Sequence, residues 1–365
     1  MRVCHFTSAH KANDDRIFLK ECVSLAENSF EVYIVGIGTT QELSGVKIIG
    51  LDSPKGRLER FLSFGRKIYK TAQKLDCDIY HFHDPELLPY GLKLKKQGKK
   101  VIFDSHEDVP AQILDKYWIP KVLRKLVSSF YEKYEKIVCS KFDAIVTATP
   151  YIANRFLKIN KNTLDVKNYP ILNDILSHTS NRNYFIDEKK LCYVGGLTEQ
   201  RGITDIISAM DKCSAKLLLA GNIDCEYKQS LSIVRGYSKT EFCGFLKPIE
   251  VYRLFNKSSV GLCVLHYTNN HYNSLPIKMF EYMAAGLPVI ASNFPLWKEI
   301  IEDNKCGICV EPENVEQIAE SINFFLNNPD EAERMGRNGR KAVEEKYNWN
   351  SEKVKLFELY KQLEA

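Results

Sequence analysis

A lysine and a glutamate, Lys278 and Glu281, stand three residues apart in the stretch NSLPIKMFEYMAAGLPVIAS, which runs from Asn273 to Ser292. Asn273 and Ser274 are good caps, Pro276 suits a first helical position and Gly286 suits the residue just past a helix end. The spacing therefore predicts a helix that carries both charges on one face. A cation in the first turn sits at the positive end of the helix dipole and costs a few tenths of a kcal/mol. An anion bound there reverses the sign, because free N–H groups and a lysine together hold phosphate. The stretch alone leaves two readings open, a surface ion pair or a phosphate site.

Other reactive side chains gather where short apolar runs end. In the first half these are Ser8, His10, Asp14, Asp15 and Arg16 in TSAHKANDDR, His83, Asp84 and Glu86 in HFHDPE, and Asp104, His106, Glu107 and Asp108 in DSHED. In the second half they are Gly195, Gly196 and Arg201 in GGLTEQRG and Gly244 in CGFLKP. A GxGxxG directly after the first apolar run would mark a dinucleotide site, and TSAHKANDDR stands there instead.

These positions need a scaffold that aligns strand ends. The runs RVCHFTS, EVYIVGIG, VKIIGLD, IYHFHD, KVIFDSH and AIVTATP read as strands, with amphipathic stretches such as RIFLKECVSLAEN between them. A second series follows in KLCYVGGL, AKLLLAG, TEFCGFL, VGLCVLH, LPVIAS and GICVEP. This alternation predicts an α/β fold of two doubly wound parallel sheets, with ligands at the carboxyl ends of the strands. The segment from Lys158 to Lys190 reads as the connection between them, and the tail from Asn328 reads as helical apart from a break at YNWN.

Length and composition agree with two soluble domains: 365 residues, 44% hydrophobic and 27% charged. No apolar run is long enough for a membrane span, and MRVCHFTSAH is too short and polar for a signal peptide, so a cytoplasmic chain is expected. The 11 cysteines lie mostly in apolar runs and read as buried thiols. Cys306 and Cys309 form a CxxC without a second pair or nearby histidines, which favours strand packing over zinc. Residues 1–170 carry 28 Lys and Arg against 20 Asp and Glu. The excess falls in residues 55–74, in KLKKQGKK and in residues 116–141, and in the first and third of these it is mixed with aromatic and aliphatic side chains at helical spacing. A solvated helix face is the commoner cause of such a pattern, and an anionic membrane surface on the inner leaflet is the alternative partner. No nucleic-acid motif accompanies it.

The succession HFTSAHKANDDRIFLKECVSLAENSFEVYIV, YHFHDPELLPYGLKLKKQGKKVIFDSHED, YVGGLTEQRGITDIISAM, GFLKPIEVYRLFNKSSVGLCVL and NSLPIKMFEYMAAGLPVIAS resembles the retaining glycosyltransferase family 4 of the GT-B fold, in the manner of bacterial capsule, exopolysaccharide and lipopolysaccharide enzymes. The resemblance implies an acceptor domain over residues 1–170, with a terminal helix at about 348–365 crossing back onto it near Trp349. It implies a donor domain over 171–347, with a cleft between the two that closes on substrate. The family signature is two glutamates with seven residues between them. The second falls on Glu281, where it would bind the donor ribose, and the first falls on Asn273, which keeps hydrogen-bonding power but no charge. Of the arginine and lysine that hold the donor diphosphate in the family, one maps to Arg201 and the other position holds Gly196, so Lys278 would supply the missing cation. Gly195, Gly244, Phe245, Ser274, Leu275 and Ile277 complete the implied donor site, and His106 would touch the transferred sugar. His10, Asp15, Arg16, His83, Asp84 and Glu107 are the acceptor-side candidates.

The reaction so implied moves a sugar from a nucleotide-diphosphate sugar to a glycan or lipid-linked acceptor with retention, by same-face displacement, without cofactor or metal. Fixed cations and a helix N-terminus would stabilise the departing diphosphate. Three rival readings stand beside it. Asp76 to Asp78 form a DxD, which belongs to metal-dependent transferases but here precedes a strand. A nucleotide-sugar epimerase shares the architecture, and Asn273 with Gly196 would suit a non-catalytic nucleotide-sugar-binding partner.

Overall fold

The computed structural model describes residues 1–116, 118–179 and 189–364, without the side chains of Arg57 and Phe61. The chain divides into two units. Unit 1 is Met1–Asn168 with Asn350–Ala365, and unit 2 is Tyr169–Trp349.

Unit 1 holds the strands β1 (Arg2–Lys11), β2 (Glu31–Ile37), β3 (Gln41–Leu43), β4 (Val46–Leu51), β5 (Ile79–Phe82), β6 (Lys100–Ser105), β7 (Ala144–Thr147) and β8 (Thr163–Asp165). They form one sheet in the order β3-β4-β2-β1-β5-β6-β7-β8, parallel except for the β3–β4 pair. The order reverses between β1 and β5, whose paired residues include His5 with His81 and Phe6 with Phe82. Val3, Cys4, Phe6, Ile79, Tyr80 and Phe82 are fully buried, as expected of parallel strands covered on both faces. After β1 the chain turns into the helix Asp15–Cys22, wound with wide π-type turns and capped by Asp14, whose carboxylate accepts from the N–H groups of Arg16 and Ile17.

Unit 2 holds β9 (Lys190–Val194), β10 (Lys216–Ala220), β11 (Thr240–Gly244), β12 (Val260–Cys263), β13 (Val289–Ser292) and β14 (Gly307–Val310), all parallel, in the order β11-β10-β9-β12-β13-β14. Its reversal lies between β9 and β12. Two apolar layers cover the sheet: Phe280, Tyr282, Met283 and Trp297 on one side, and Ile203, Ile206, Ile207, Ile318 and Phe325 on the other.

Each run read as a strand is one. Two short strands, β3 and β8, carry too little pattern to be read beforehand. The expected connection from Lys158 is more structured than a linker. It contains the edge strand β8 and the helix Leu172–Thr179, and its remainder at 180–188 lies outside the described residues. The helix Ile277–Ala284 has Pro276 at its cap position, so Asn273 and Ser274 do not cap it. Asn273 ends the preceding turn Asn269–Tyr272, and the Ser274 hydroxyl donates to the carbonyl of His271 at 2.9 Å. Gly286, at φ +73°, stops the helix as its position suggests. The tail forms the helices Pro329–Glu345 and Trp349–Glu364. The second belongs to unit 1 from Asn350, where the Lys167 N–H donates to Glu352 and the Tyr360 hydroxyl lies 2.9 Å from His81 Nδ1. Cys306 is buried and Cys309 partly so, both as free thiols.

Candidate functional site

Unit 2 builds a cationic site at the end of β9. Gly195 follows the strand with φ +131°, and its N–H donates to Ala220 O at 2.8 Å. A Cβ on Gly195 would lie 2.8 Å from Lys278 Nζ and 3.2 Å from Arg201 Nη1. The missing side chain thus leaves room for two cations over one stretch of backbone. The neighbouring glycine at the end of β10 has a different reason: a Cβ on Gly221 would strike Gly195 O at 1.8 Å.

Lys278 enters this site from the first turn of the helix Ile277–Ala284. The residue is only 7% exposed, which removes the surface ion-pair reading. Its Nζ lies 3.7 Å above the Tyr193 ring and has no hydrogen-bond partner among the described residues. Desolvation is the main cause that pulls its pKa down to about 7; Arg201 adds to the fall, while Cys263 and Glu281 oppose it. Glu281 follows one turn along the same helix, partly exposed. Tyr193 is held by its hydroxyl, which donates to Gly196 O at 3.2 Å. His271 shares this cationic neighbourhood, since burial and the charges of Arg201 and Lys278 push its pKa below the usual imidazole range.

The structure therefore brings Gly195, Gly196, Arg201 and Lys278 together. Gly244, at φ +69°, ends β11 and its carbonyl accepts from the Gly221 N–H at 2.7 Å, while Phe245 beside it is 75% exposed. Asn273, Ser274, Leu275 and Ile277 are half-buried on the approach to the helix, with Ser274 O taking a hydrogen bond from Trp297 Nε1 at 2.6 Å. Tyr193 and His271 were not among the expected residues. Tyr193 was legible in principle, near the end of β9 and two positions before Gly195. A separate cavity of about 720 Å³ in unit 2, under Tyr267, Tyr272 and Phe294, is lined by none of the expected donor residues.

Unit 1 places a second polar site at the ends of β1, β5 and β6. A cavity of about 720 Å³ is lined there by His10, His83, Asp84, Glu86, His106 and Glu107, with Arg60 and Lys116 as its cations. Asp104 is the hub. Its carboxylate meets His106 Nε2 at 2.9 Å, His83 Nδ1 at 3.2 Å and the Arg16 guanidinium at 3.2 to 3.3 Å. Against the desolvation that pushes it up, Arg16 and His106 hold the Asp104 carboxyl well below its usual range. Burial in turn pushes His83 down, leaving a neutral ring at pH 7. His10 is raised, chiefly by its hydrogen bond to Asp14, and faces the His106 ring at 5.6 Å between centroids.

Two expected acceptor residues have other duties. Arg16 is 5% exposed and spends its guanidinium on Asp104 and on Val166 O at 2.9 Å, so it braces the site from inside; breaking such a buried pair costs about 3–5 kcal/mol. Asp15 is exposed at the start of its helix and does not line the cavity. Asp84 lines it, but one carboxylate oxygen already accepts from Thr7 Oγ1, the Ser8 N–H and the Ala9 N–H.

Comparison with known proteins bears on both units. Residues 20–166 match the family model for Glycosyltransferase Family 4, and residues 179–342 match the model for Glycosyl transferases group 1. An uncharacterized glycosyltransferase of Methanocaldococcus jannaschii is 33% identical over 181 residues, 48% of this chain and 45% of that protein. The chain spans less than half the length of the first curated relatives it matches. Among solved structures, the sucrose-phosphate synthase of Thermosynechococcus elongatus superposes with a TM-score of 0.77 at 18% identity, covering 100% of this chain and 99% of its own. The Anabaena protein HepE in complex with UDP-glucose gives 0.75 at 12% identity, covering 99% and 100%. These likenesses establish the fold.

Proposed function

We propose that this chain, whose fold is GT-B and whose two units match glycosyltransferase family models, moves a sugar from a nucleotide-diphosphate sugar to a glycan or lipid-linked acceptor, with retention, in the synthesis of a bacterial surface polysaccharide. The observation that carries this reading is the buried ammonium of Lys278. A buried cation beside Gly195 and Arg201 with no hydrogen-bond partner among the described residues is costly unless an anion completes it, and a diphosphate has the charge and the oxygens to do so. Arg201 and Lys278 then hold the leaving group where negative charge develops, with no metal in that role. Glu281 takes the ribose hydroxyls, Asn273 and Ser274 are assigned to the donor's sugar, and His106 is the sugar-binding candidate of unit 1. The cavity of His10, His83 and Glu107 takes the acceptor.

A specific observation favours acceptor delivery at an anionic membrane surface. On the helix Lys121–Cys139, Val122, Leu126 and Phe130 recur every four residues and are 86%, 67% and 76% exposed, whereas the buried residues are Ser128, Glu135, Val138 and Cys139. An apolar stripe turned outward among Lys121, Arg124, Lys125 and Lys133 is unlike a solvated face. No helix among the described residues is long and apolar enough to cross a membrane. The association proposed here is a peripheral one on the cytoplasmic leaflet.

The decisive experiment incubates the purified chain with a panel of nucleotide-diphosphate sugars, with and without membrane lipid extract, and analyses products. Acceptor-dependent transfer with the donor's anomeric configuration kept is the expected result. Conversion of the donor to another sugar without acceptor would assign an epimerase, and donor binding without turnover a silent partner.

A further inference from the structure

Three imidazoles converge in the interior of unit 1. His5 of β1 and His81 of β5 are cross-strand neighbours, and His83, two residues on, shares the same sheet face as His81. Their ring centroids are 4.6, 4.8 and 5.3 Å apart, and none is more than 3% exposed. Glu21, fully buried on the helix Asp15–Cys22, faces them with Oε2 3.9 Å from His5 Nδ1.

The hydrogen bonding is lopsided. Each ring has one nitrogen anchored on its outer side: His5 Nε2 and His81 Nδ1 to the Tyr360 hydroxyl, at 3.2 and 2.9 Å, and His83 Nδ1 to Asp104 at 3.2 Å. Inward, His5 Nδ1 and His83 Nε2 share a hydrogen bond at 3.0 Å, which a bound ion would replace, while His81 Nε2 and both Glu21 oxygens have no hydrogen-bond partner among the described residues. Arg16 Nε lies 3.2 Å from Glu21 Oε1 but out of hydrogen-bond alignment. One donor atom from each of the four residues lies within 4.8 Å of the others.

We propose that His5, Glu21, His81 and His83 bind one divalent transition-metal ion, with Zn²⁺ the best fit to the donor set. Three neutral imidazoles and a carboxylate are a zinc-type set, and bonds of about 2.0–2.1 Å to a tetrahedral ion place donor atoms roughly 3.3 Å apart, between the separations seen here. The outer anchors are of the kind that orient metal-bound histidines, a carboxylate on one ring and a hydroxyl on the other two. The ion would clasp β1, β5 and the helix Asp15–Cys22, and through Tyr360 it would also fasten the terminal helix. His5, Glu21 and His81 are fully buried and His83 edges the unit 1 cavity at 3% exposure, so the ion's role is structural, bracing that cavity's wall, and separate from the diphosphate chemistry of unit 2.

The test uses the full chain carrying no histidine tag, expressed with Zn²⁺ in the medium and dialysed. Elemental analysis should find close to one zinc per chain, and Co²⁺ in its place should give the intense visible bands of a tetrahedral site. Competition with a chromophoric chelator should show Zn²⁺ affinity reduced about a hundredfold or more in His81→Ala and in Glu21→Gln, with His106→Ala unchanged. Purified wild-type chain with less than about a tenth of an equivalent of metal, and no rise in thermal midpoint on adding Zn²⁺, would overturn the proposal whether or not the variants fold. Unchanged zinc affinity in both folded variants would overturn it equally.

Discussion

Replacing Lys278 by Met separates the lysine's cost to the fold from its use to a ligand. In the free protein its pKa falls from 10.5 to about 7. At about 1.36 kcal/mol for each tenfold change, holding the buried ammonium charged costs roughly 4–5 kcal/mol as an upper figure. The folded value lies below the unfolded one, so the unfolded chain binds the extra proton between about pH 7 and 10.5. Wild-type stability should therefore rise with pH through that window, with the whole cost present below it. Met fills the same space without charge, so ligand-free Lys278→Met should unfold at a higher temperature at pH 7 and lose the rise toward pH 10. Diphosphate binding should move the other way. An anion beside Nζ restores the proton, so wild type should take up close to one proton on binding a nucleoside diphosphate at pH 8, and its affinity should fall as pH rises above 7. The variant should take up none and bind roughly ten- to a hundredfold more weakly, the worth of one charge-assisted hydrogen bond, while the bare nucleoside binds both proteins alike. Calorimetry in two buffers of different ionisation enthalpy, with thermal unfolding against pH, reads all of this. A variant less stable than wild type at pH 7, or one that loses nucleoside and diphosphate equally, would refute the argument.

Glu281→Ala should keep the fold, since a better helix former replaces a partly exposed residue, yet weaken nucleotide-sugar binding and nearly abolish transfer; unchanged donor affinity on titration would remove the ribose assignment. Adding Mg²⁺ or Mn²⁺ should not raise the transfer rate, and a strict requirement for either would mean that Arg201 and Lys278 do not replace a metal. Leu126→Ser with Phe130→Ser should abolish flotation with anionic liposomes at low salt, and wild-type binding should itself fall steeply with added salt. No wild-type flotation at low salt would return the helix Lys121–Cys139 to solvent.

The strands, the helix after Pro276 and its stop at Gly286 follow from local pattern, because apolar runs of four to seven residues and a positive-φ glycine act within a few residues of chain. The glycine loop with Arg201 and the lysine behind it were legible for the same reason. What local pattern does not carry is which way a side chain faces once the sheets form. Lys278 and Glu281 share a helix face, yet only the packing of that helix on β9 buries the ammonium over Tyr193 and leaves Glu281 partly in solvent. Arg16 resembles a free loop cation until Asp104, 88 residues away, takes it. Spacing left the stretch 116–141 open between a solvated face and a membrane surface, and only the fold shows that it turns Val122, Leu126 and Phe130 outward together. His81 and His83 alternate visibly along one strand. Their meeting with His5, Glu21 and a tyrosine 279 residues on depends on the β1–β5 register and on the chain's return to unit 1, where long-range packing chose the partners that sequence spacing left open.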